Sequence, residues 1–483
     1  MSDKKNQDHN ISISSQERRW LLYLLDILAI NGGFLISLIL REDYQLSLSL
    51  LAQNPDWIIF LNGLWFFIGY FSDVYDIKRA GQFRTALLST FSTGLLVTLV
   101  FNFIPYIPPR LPPSRQPLII AIFLPVMLLV LGRIIYLTIF TQARFRRKMI
   151  IIGAGWAGNT IFQVIVDYAK TLYDVVGFID DDPELSGSKV QIESGVIENG
   201  SPQVVSANVL GTSKELMDVI DKYGVSTVVI AITRGVRGEL YQALTDCLQR
   251  ELEVIPMPLL YENLTGKVPV EHIGDHWSVS MPLEQPGTQF AWHAFKRIFD
   301  LFWSSIGLII LAVFFPLIAL AIKLDSKGPL FYTQKRMGRH EKVFRVYKFR
   351  SMVINAETDS AVWAQKDDPR VTRVGKILRK THIDEFPQFW NIFKGEMSVV
   401  GPRPERPEFI KELTEDIPFY RVRLAVKPGM AGWGLINQGY GSSKKDTLDK
   451  LQYDLYYIKH QSFWLDMQIL WRTVLDAVSL RGR

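Results

Sequence analysis

Met149-Ile150-Ile151-Ile152-Gly153-Ala154-Gly155-Trp156-Ala157-Gly158 divides this chain into two kinds of sequence. The four apolar residues read as a strand covered on both faces, which has no polar side. Gly153, Gly155 and Gly158 follow in Gly-x-Gly-x-x-Gly spacing, and residues 159–168 read as a helix. That order turns the amides of a helix N-terminus toward a phosphate. A second strand, 175–179, ends in Asp180-Asp181-Asp182, where an acid is placed to hold a ribose. A helical stretch at 213–223 and a strand at 227–232 complete a Rossmann-like α/β domain over residues 146–285. Gly153, Gly155, Gly158 and Asp180 are its candidate nucleotide contacts. The competing reading is a regulatory domain with an empty pocket, since no catalytic tyrosine–lysine pair accompanies the glycines.

N-terminal to this domain the sequence is of membrane type. After a polar tail (1–19), apolar runs cover 20–40, 57–72, 86–104 and 118–140, each near the roughly 20 residues that cross a bilayer. A bundle of four transmembrane helices is therefore expected over 20–145. The first run lacks a small-residue cleavage site after it and reads as a retained span. Arg18, Arg19, Lys78, Arg79, Arg84 and the cluster Arg144, Arg146, Arg147, Lys148 all fall on one side. The other side carries Arg41, Arg110 and Arg115, so both ends of the bundle should face the cytoplasm. Asp26, Asn31 and Arg133 lie within the spans. They mark either function or polar contacts inside the bundle, with snorkelling to the interface a further option for Arg133.

Of the 483 residues, 48% are hydrophobic, and 54 Lys and Arg against 48 Asp and Glu leave a net charge of +6. That excess suits lipid headgroups and phosphorylated substrates. No dense basic tract argues for nucleic acid. The single cysteine, Cys247, excludes an intrachain disulfide and a cysteine metal site.

C-terminal to the α/β domain, residues 298–322 are again apolar, interrupted by Pro316 and flanked by Lys296, Arg297, Lys323 and Lys327. Cations at both ends and a proline inside predict a re-entrant helix that turns at Pro316, the rival being a kinked fifth span. Further on, Asp384-Glu385 follows Arg370, Arg373, Lys376, Arg379 and Lys380, and precedes Gly401-Pro402-Arg403-Pro404-Glu405. A solvated helix face would also hold such charges. Cations that grip a polyanion beside a carboxylate that attacks phosphorus or holds a metal are what phosphoryl transfer requires. Lys348 and Arg350 lie in an alternating, strand-like segment that could grip phosphates or headgroups. Residues 453–480 mix aromatics with charges, as an interfacial amphipathic helix or a packed core helix does.

The motifs from residue 295 onward resemble the bacterial sugar transferase family, the monotopic polyprenyl-phosphate hexose-1-phosphate transferases. They are Lys296-Arg297-x-x-Asp300, the proline-interrupted apolar run, Gly328-Pro329 with Gln334-Lys335-Arg336, and Tyr347-Lys348-Phe349-Arg350-Ser351-Met352. Arg373-x-Gly375, Asp384-Glu385-x-Pro387-Gln388, Asn391, Met397-Ser398-x-Val400-Gly401-Pro402-Arg403-Pro404, Lys427-Pro428-Gly429 and Gly432-Trp433 follow. The four spans and the Rossmann-like domain resemble the long-form members, which initiate exopolysaccharide, capsule or O-antigen synthesis. One departure is Phe315 where many members have serine before the proline.

The resemblance implies a membrane protein of mixed class, with a C-terminal α/β catalytic domain (293–483) anchored by the re-entrant helix and amphipathic helices. It implies a multi-pass protein of the bacterial inner membrane with its catalytic side in the cytoplasm, and a homodimer by likeness to the long forms. It further implies transfer of hexose-1-phosphate from a UDP-sugar to undecaprenyl phosphate, with Mg²⁺ bound by Asp384 and Glu385. Asp384 would be the nucleophile, and Glu385 its metal or acid/base partner. Arg379 and Arg403, with Lys348, Arg350 and Arg373, would contact phosphates. The sugar is not fixed, an unmodified hexose being the expectation. The rival activity, an NAD-dependent membrane-anchored nucleotide-sugar dehydratase, needs a second glycine fingerprint and a helical Tyr-x-x-x-Lys. The one Tyr-x-x-x-Lys, Tyr440 to Lys444, lies among glycines and serines.

Overall fold

The computed structural model describes residues 14–41, 44, 47–112, 114–198, 201–232, 238–270, 289–353, 368–417, 419–438 and 444–478. Most of the expected polar tail, the junction at 271–288 and Tyr440 lie outside the described residues. The chain divides into two compact units, Met1–Thr265 and Gly266–Arg483.

The first unit begins with helices α1 (Ser15–Ile39), α2 (Leu48–Gln53), α3 (Pro55–Phe71), α4 (Ile77–Ala80), α5 (Phe83–Phe103) and α6 (Arg115–Phe140). Ser14 and Glu17 form a capping box that starts α1. By length and composition α1, α5 and α6 can cross a membrane, as can Trp292–Asp325 of the second unit. The third helix has 17 residues and rises roughly 26 Å, a little short of a hydrocarbon core of about 30 Å. Close approach of α1 and α6 depends on Gly33, where a Cβ would lie 2.4 Å from the Pro125 Cα. About two turns from Gly33 toward the N-terminus of α1, Arg133 donates to Asp26 at 3.1 Å, both fully buried. Arg133 therefore does not snorkel. Asn31 and Asn62 exchange amide hydrogen bonds at 2.9 Å.

The rest of this unit is a sheet in the order β3-β4-β2-β1-β5-β6. Its strands are β1 (Arg147–Ile152), β2 (Tyr173–Ile179), β3 (Lys189–Glu198), β4 (Ser201–Gly211), β5 (Thr227–Ile230) and β6 (Glu253–Pro256). All pairings are parallel except β3 with β4. Helices α7 (Trp156–Tyr168), α8 (Leu216–Tyr223), α9 (Gly238–Gln249) and α10 (Met257–Thr265) accompany it. The chain leaves β1 toward β2 and later returns to its other side at β5, so the glycine turn after β1 sits at the switch point of a doubly wound fold. The sequence reading located β1, β2 and β5 but not the β3–β4 hairpin.

The second unit opens with α11 (Gln289–Asp325), a 37-residue helix that runs unbroken through Pro316. One face of it, Asp300, Ser304, Gly307, Leu311, Phe315, Ile318 and Ile322, recurs at three- and four-residue spacing and lies against its own unit. The opposite face exposes Ile298, Phe302, Ile309, Val313, Leu317 and Leu320. A hairpin of β7 (Phe331–Met337) and β8 (Val343–Phe349) follows, and Phe331 and Phe349 stack with Phe315. Then come α12 (Arg373–Lys380), α13 (Gln388–Lys394), β9 (Ser398–Val400), α14 (Pro407–Asp416), β10 (Gly429–Ala431), α15 (Trp433–Gln438), α16 (Lys444–Lys459) and α17 (Phe463–Val478). Leu451, Leu455, Tyr457, Leu465 and Ile469 of the last two helices are buried in the core of this unit, so these helices are core elements over that face.

Arg133→Met strands a buried carboxylate and should destabilise the bundle by about 3–5 kcal/mol, whereas Asp26→Asn with Arg133→Met should recover most of the loss. Thermal midpoints in detergent check this. A double variant as unstable as the single one would show that the ion pair is not what holds α1 to α6.

Candidate active site

Three segments of the second unit meet at the carboxylate pair. The first is the segment that carries it. Thr372 caps α12 by accepting from the Gly375 N–H at 3.0 Å, and the helix ends at Thr381. His382 then takes a left-handed conformation, φ 55°, and reverses the chain into the single turn Ile383–Glu385. Asp384 and Glu385 are both buried there. Pro387 starts α13 directly afterwards.

The second segment is β8, whose Lys348 donates from Nζ to Glu385 Oε1 at 2.7 Å. The third is the Gly401-Pro402-Arg403 turn after β9, from which Arg403 Nη2 donates to the same oxygen at 3.0 Å. The turn is held at consecutive carbonyls. Arg423 donates to the Arg403 carbonyl, Arg336 to that of Pro404, and the Met337 N–H to that of Glu405. Behind it Arg423 pairs with Asp454 at 2.8 Å and Lys450 with Glu405 at 3.1 Å.

Burial sets the electrostatics. It pushes the Asp384 carboxyl up, and the adjacent Glu385 charge pushes it further, to about 6, against the opposing pull of Lys348, Arg379 and Arg403. Burial acts on Glu385 in the same sense, but Lys348 and Arg403 together outweigh it and hold that carboxyl well below the usual range. Both cations lie on Glu385. Among the described residues no hydrogen bond reaches the Asp384 carboxylate. The site thus presents a basic carboxylate beside one that stays ionised.

The other expected contacts divide. Arg379 reaches the site's edge, where its Nε donates to Ser351 Oγ at 2.9 Å. Arg350 is buried and committed elsewhere, donating to the carbonyls of Ser326 and Lys327 at the end of α11. Arg373 is exposed in the first turn of α12, and among the described residues no contact brings it to the pair. Among the described residues no group of three His, Cys, Asp or Glu side chains gathers to hold a metal. Asp384 and Glu385 alone match the habit of Mg²⁺, which takes one or two carboxylates and completes its shell with water and substrate phosphates. Sequence reasoning gave no role to Ser351 or Asn391. Their neighbours in the chain carry charge, but nothing in sequence shows which side chains hold which.

In the first unit Gly153 has φ 104°, and a Cβ on Gly158 would lie 1.9 Å from the Gly153 carbonyl oxygen. The turn is therefore as tight as its spacing suggests. Asp180 accepts from the Ala154 N–H at 2.7 Å and from the Asp182 N–H at 2.9 Å, so its carboxylate is engaged with the glycine turn itself.

Two family models match the chain: bacterial sugar transferase over residues 291–479, and a CoA-binding domain over 70–258. The chain is 40% identical over 237 residues to the UDP-N-acetylgalactosamine-undecaprenyl-phosphate N-acetylgalactosaminephosphotransferase of Aeromonas hydrophila, covering 49% of this chain and 55% of that one. It is 33% identical over 348 residues to the undecaprenyl-phosphate glucose phosphotransferase of Komagataeibacter xylinus, covering 70% and 60%. It is 32% identical over 355 residues to the UDP-glucose:undecaprenyl-phosphate glucose-1-phosphate transferase of Escherichia coli (strain K12), covering 68% and 71%. The match thus spans little more than half the length of the first two relatives.

The raised Asp384 carboxyl carries a stability signature. Folding favours its protonated form, so stability is lost as pH rises from the ordinary 3.8 through about 6. Asp384→Asn does not titrate. Its thermal midpoint should match the parent near pH 4 and exceed it above pH 6.5, by scanning fluorimetry. The same offset at both pH values would contradict the raised carboxyl.

Proposed function

Since the chain belongs to the bacterial sugar transferase family, we propose that it transfers a sugar-1-phosphate from a UDP-sugar to undecaprenyl phosphate, the first step in building a surface polysaccharide. The observation that carries this reading is the buried Asp384–Glu385 pair with both cations on Glu385. The Asp384 carboxylate attacks the sugar-proximal phosphorus. A bond forms from its oxygen to phosphorus, the bridging phosphoanhydride bond breaks, and UMP leaves. Undecaprenyl phosphate then attacks the same phosphorus, releases Asp384 and takes the sugar phosphate as a diphosphate. A carboxylate basic enough to titrate near 6 is both ionised and nucleophilic at neutral pH. Lys348 and Arg403 are placed to share their donors between Glu385 and the phosphate oxygens, where charge develops. Glu385, held ionised, orients these cations and is unsuited to donate a proton. Asp384 and Glu385 would hold Mg²⁺, which supplies charge neutralisation when bound.

The turn expected at Pro316 is not present, because the helix continues through the proline, but the single covered face of α11 favours an anchor lying in the cytoplasmic leaflet over a span. Its covered face from Asp300 to Ile322 rises roughly 33 Å, about the thickness of a hydrocarbon core. Were the helix to cross, the charged unit along that face would lie inside the bilayer, at heavy desolvation cost. A helix lying in one leaflet presents its exposed apolar face, Ile298, Phe302, Ile309, Val313, Leu317 and Leu320 among it, to lipid.

UMP release by purified protein from a panel of UDP-sugars, with Mg²⁺ and undecaprenyl phosphate, with and without EDTA, tests the reading. One sugar should give metal- and lipid-dependent UMP. Asp384→Asn should abolish turnover in a folded protein. Silence across the panel, or full activity of that variant, would overturn the proposal.

A further inference from the structure

Asn391 lies on α13 six residues beyond Glu385 and is fully buried. Its side-chain amide is completely committed. Oδ1 accepts from the Tyr347 N–H at 3.1 Å, and Nδ2 donates to the Arg345 carbonyl at 2.7 Å and to Glu396 Oε2 at 2.7 Å. The first two bonds are those that a residue of a parallel neighbouring strand would make around Val346. The hairpin has two strands, so one edge of β8 is paired with β7 and the other would lie open. A carboxamide has the donor and acceptor of a peptide group, and here it stands in for the missing strand. The residue after Tyr347 is Lys348, whose ammonium meets Glu385. One short segment therefore grips β8 twice, through the Glu385 carboxylate on the Lys348 side chain and through the Asn391 amide on the backbone beside it.

We infer that Asn391 is a positioning residue: by taking the place of a strand on the open edge of β8 it sets where Lys348 meets Glu385, and it acts on the reaction only through that pair. The inference rests on the transferase reading for its kinetic arm but not for its labelling arm. No other side chain of the same size does this. Aspartate keeps the acceptor for Tyr347 but turns like-charged and lone-pair oxygens toward Glu396 and the Arg345 carbonyl.

The test compares Asn391→Ala, Asn391→Asp and Asn391→Asp with Glu396→Gln, in the full chain. Competitive acetylation of lysines by acetic anhydride, read by mass spectrometry, should show Lys348 at least fivefold more reactive in the single variants. Lys296 and Lys450, which pair with Asp466 and Glu405, should not change and serve as internal controls. Glu396→Gln should return part of the protection lost in Asn391→Asp. In the kinetic arm Asn391→Asp should lower kcat at least tenfold, and adding Lys348→Met should lower it less than threefold more. An unchanged Lys348, a rise at all three lysines together, or losses that multiply in the double variant would overturn the inference. If no variant nor the parent releases UMP, the transferase reading fails while the labelling result still decides the role of Asn391.

Discussion

The second unit is organised around one buried carboxylate. Glu385 is 7% exposed, and a charge so placed is destabilising unless cations meet it. Lys348 and Arg403 come from elements far apart in sequence, so the pairing forces β8, the dyad turn and the Gly-Pro-Arg turn to converge. Much of the remaining polar structure serves that convergence. Three donors fix the carbonyls around Arg403, and a cluster of Arg336, Arg423, Lys450, Glu405 and Asp454 backs them.

The start of α11 ties the membrane-type helix to the same convergence. Lys296 bonds to Asp466 and to the Tyr457 hydroxyl, which in turn reaches the Val400 carbonyl. Arg297 donates to the carbonyls of Ile392 and Phe393, closing the C-terminus of α13. Asp300 accepts from the Ser398 hydroxyl and the Val399 N–H of β9. Two of these elements, α13 and β9, flank the dyad and the Arg403 turn. At the far end Arg350 fixes the carbonyls where α11 stops. The cations that read in sequence as topology signals thus also hold the helix to the site.

Periodicity made the long helices, β1, β2 and the glycine turn legible, because each buries a regular apolar pattern. The β3–β4 hairpin was overlooked, although the alternation of Lys189, Gln191 and Glu193 with Val190 and Ile192 has the period of a strand. The dyad and Arg403 could be singled out by chemistry. Which other cations join them could not. Lys348 and Arg350 are two apart and would share a face in a continuing strand, but β8 ends at Phe349 and Arg350 turns to α11. Arg373 and Arg379 are six apart on α12, which sets them on different sides of the helix. Asp180 shows the same limit. Its position after β2 suits a ribose, while its contacts with the glycine turn appear only in three dimensions.

Adjacent acids leave their roles open in sequence, and burial is what separates them. Two like charges in one desolvated site oppose each other's ionisation, so the better-paired one keeps its charge to low pH and the other's carboxyl is pushed up. Were the cations divided one to each acid, both carboxylates would be held low and both would be weak nucleophiles. Placing Lys348 and Arg403 on Glu385 Oε1 satisfies that group and leaves Asp384 to carry the penalty as basicity. The arrangement also frees Asp384 of direct partners among the described residues, so attack need not first break a hydrogen bond. The asymmetry of two cations on one oxygen, more than the presence of two acids, is therefore what supports Asp384 over Glu385 as the group that reacts.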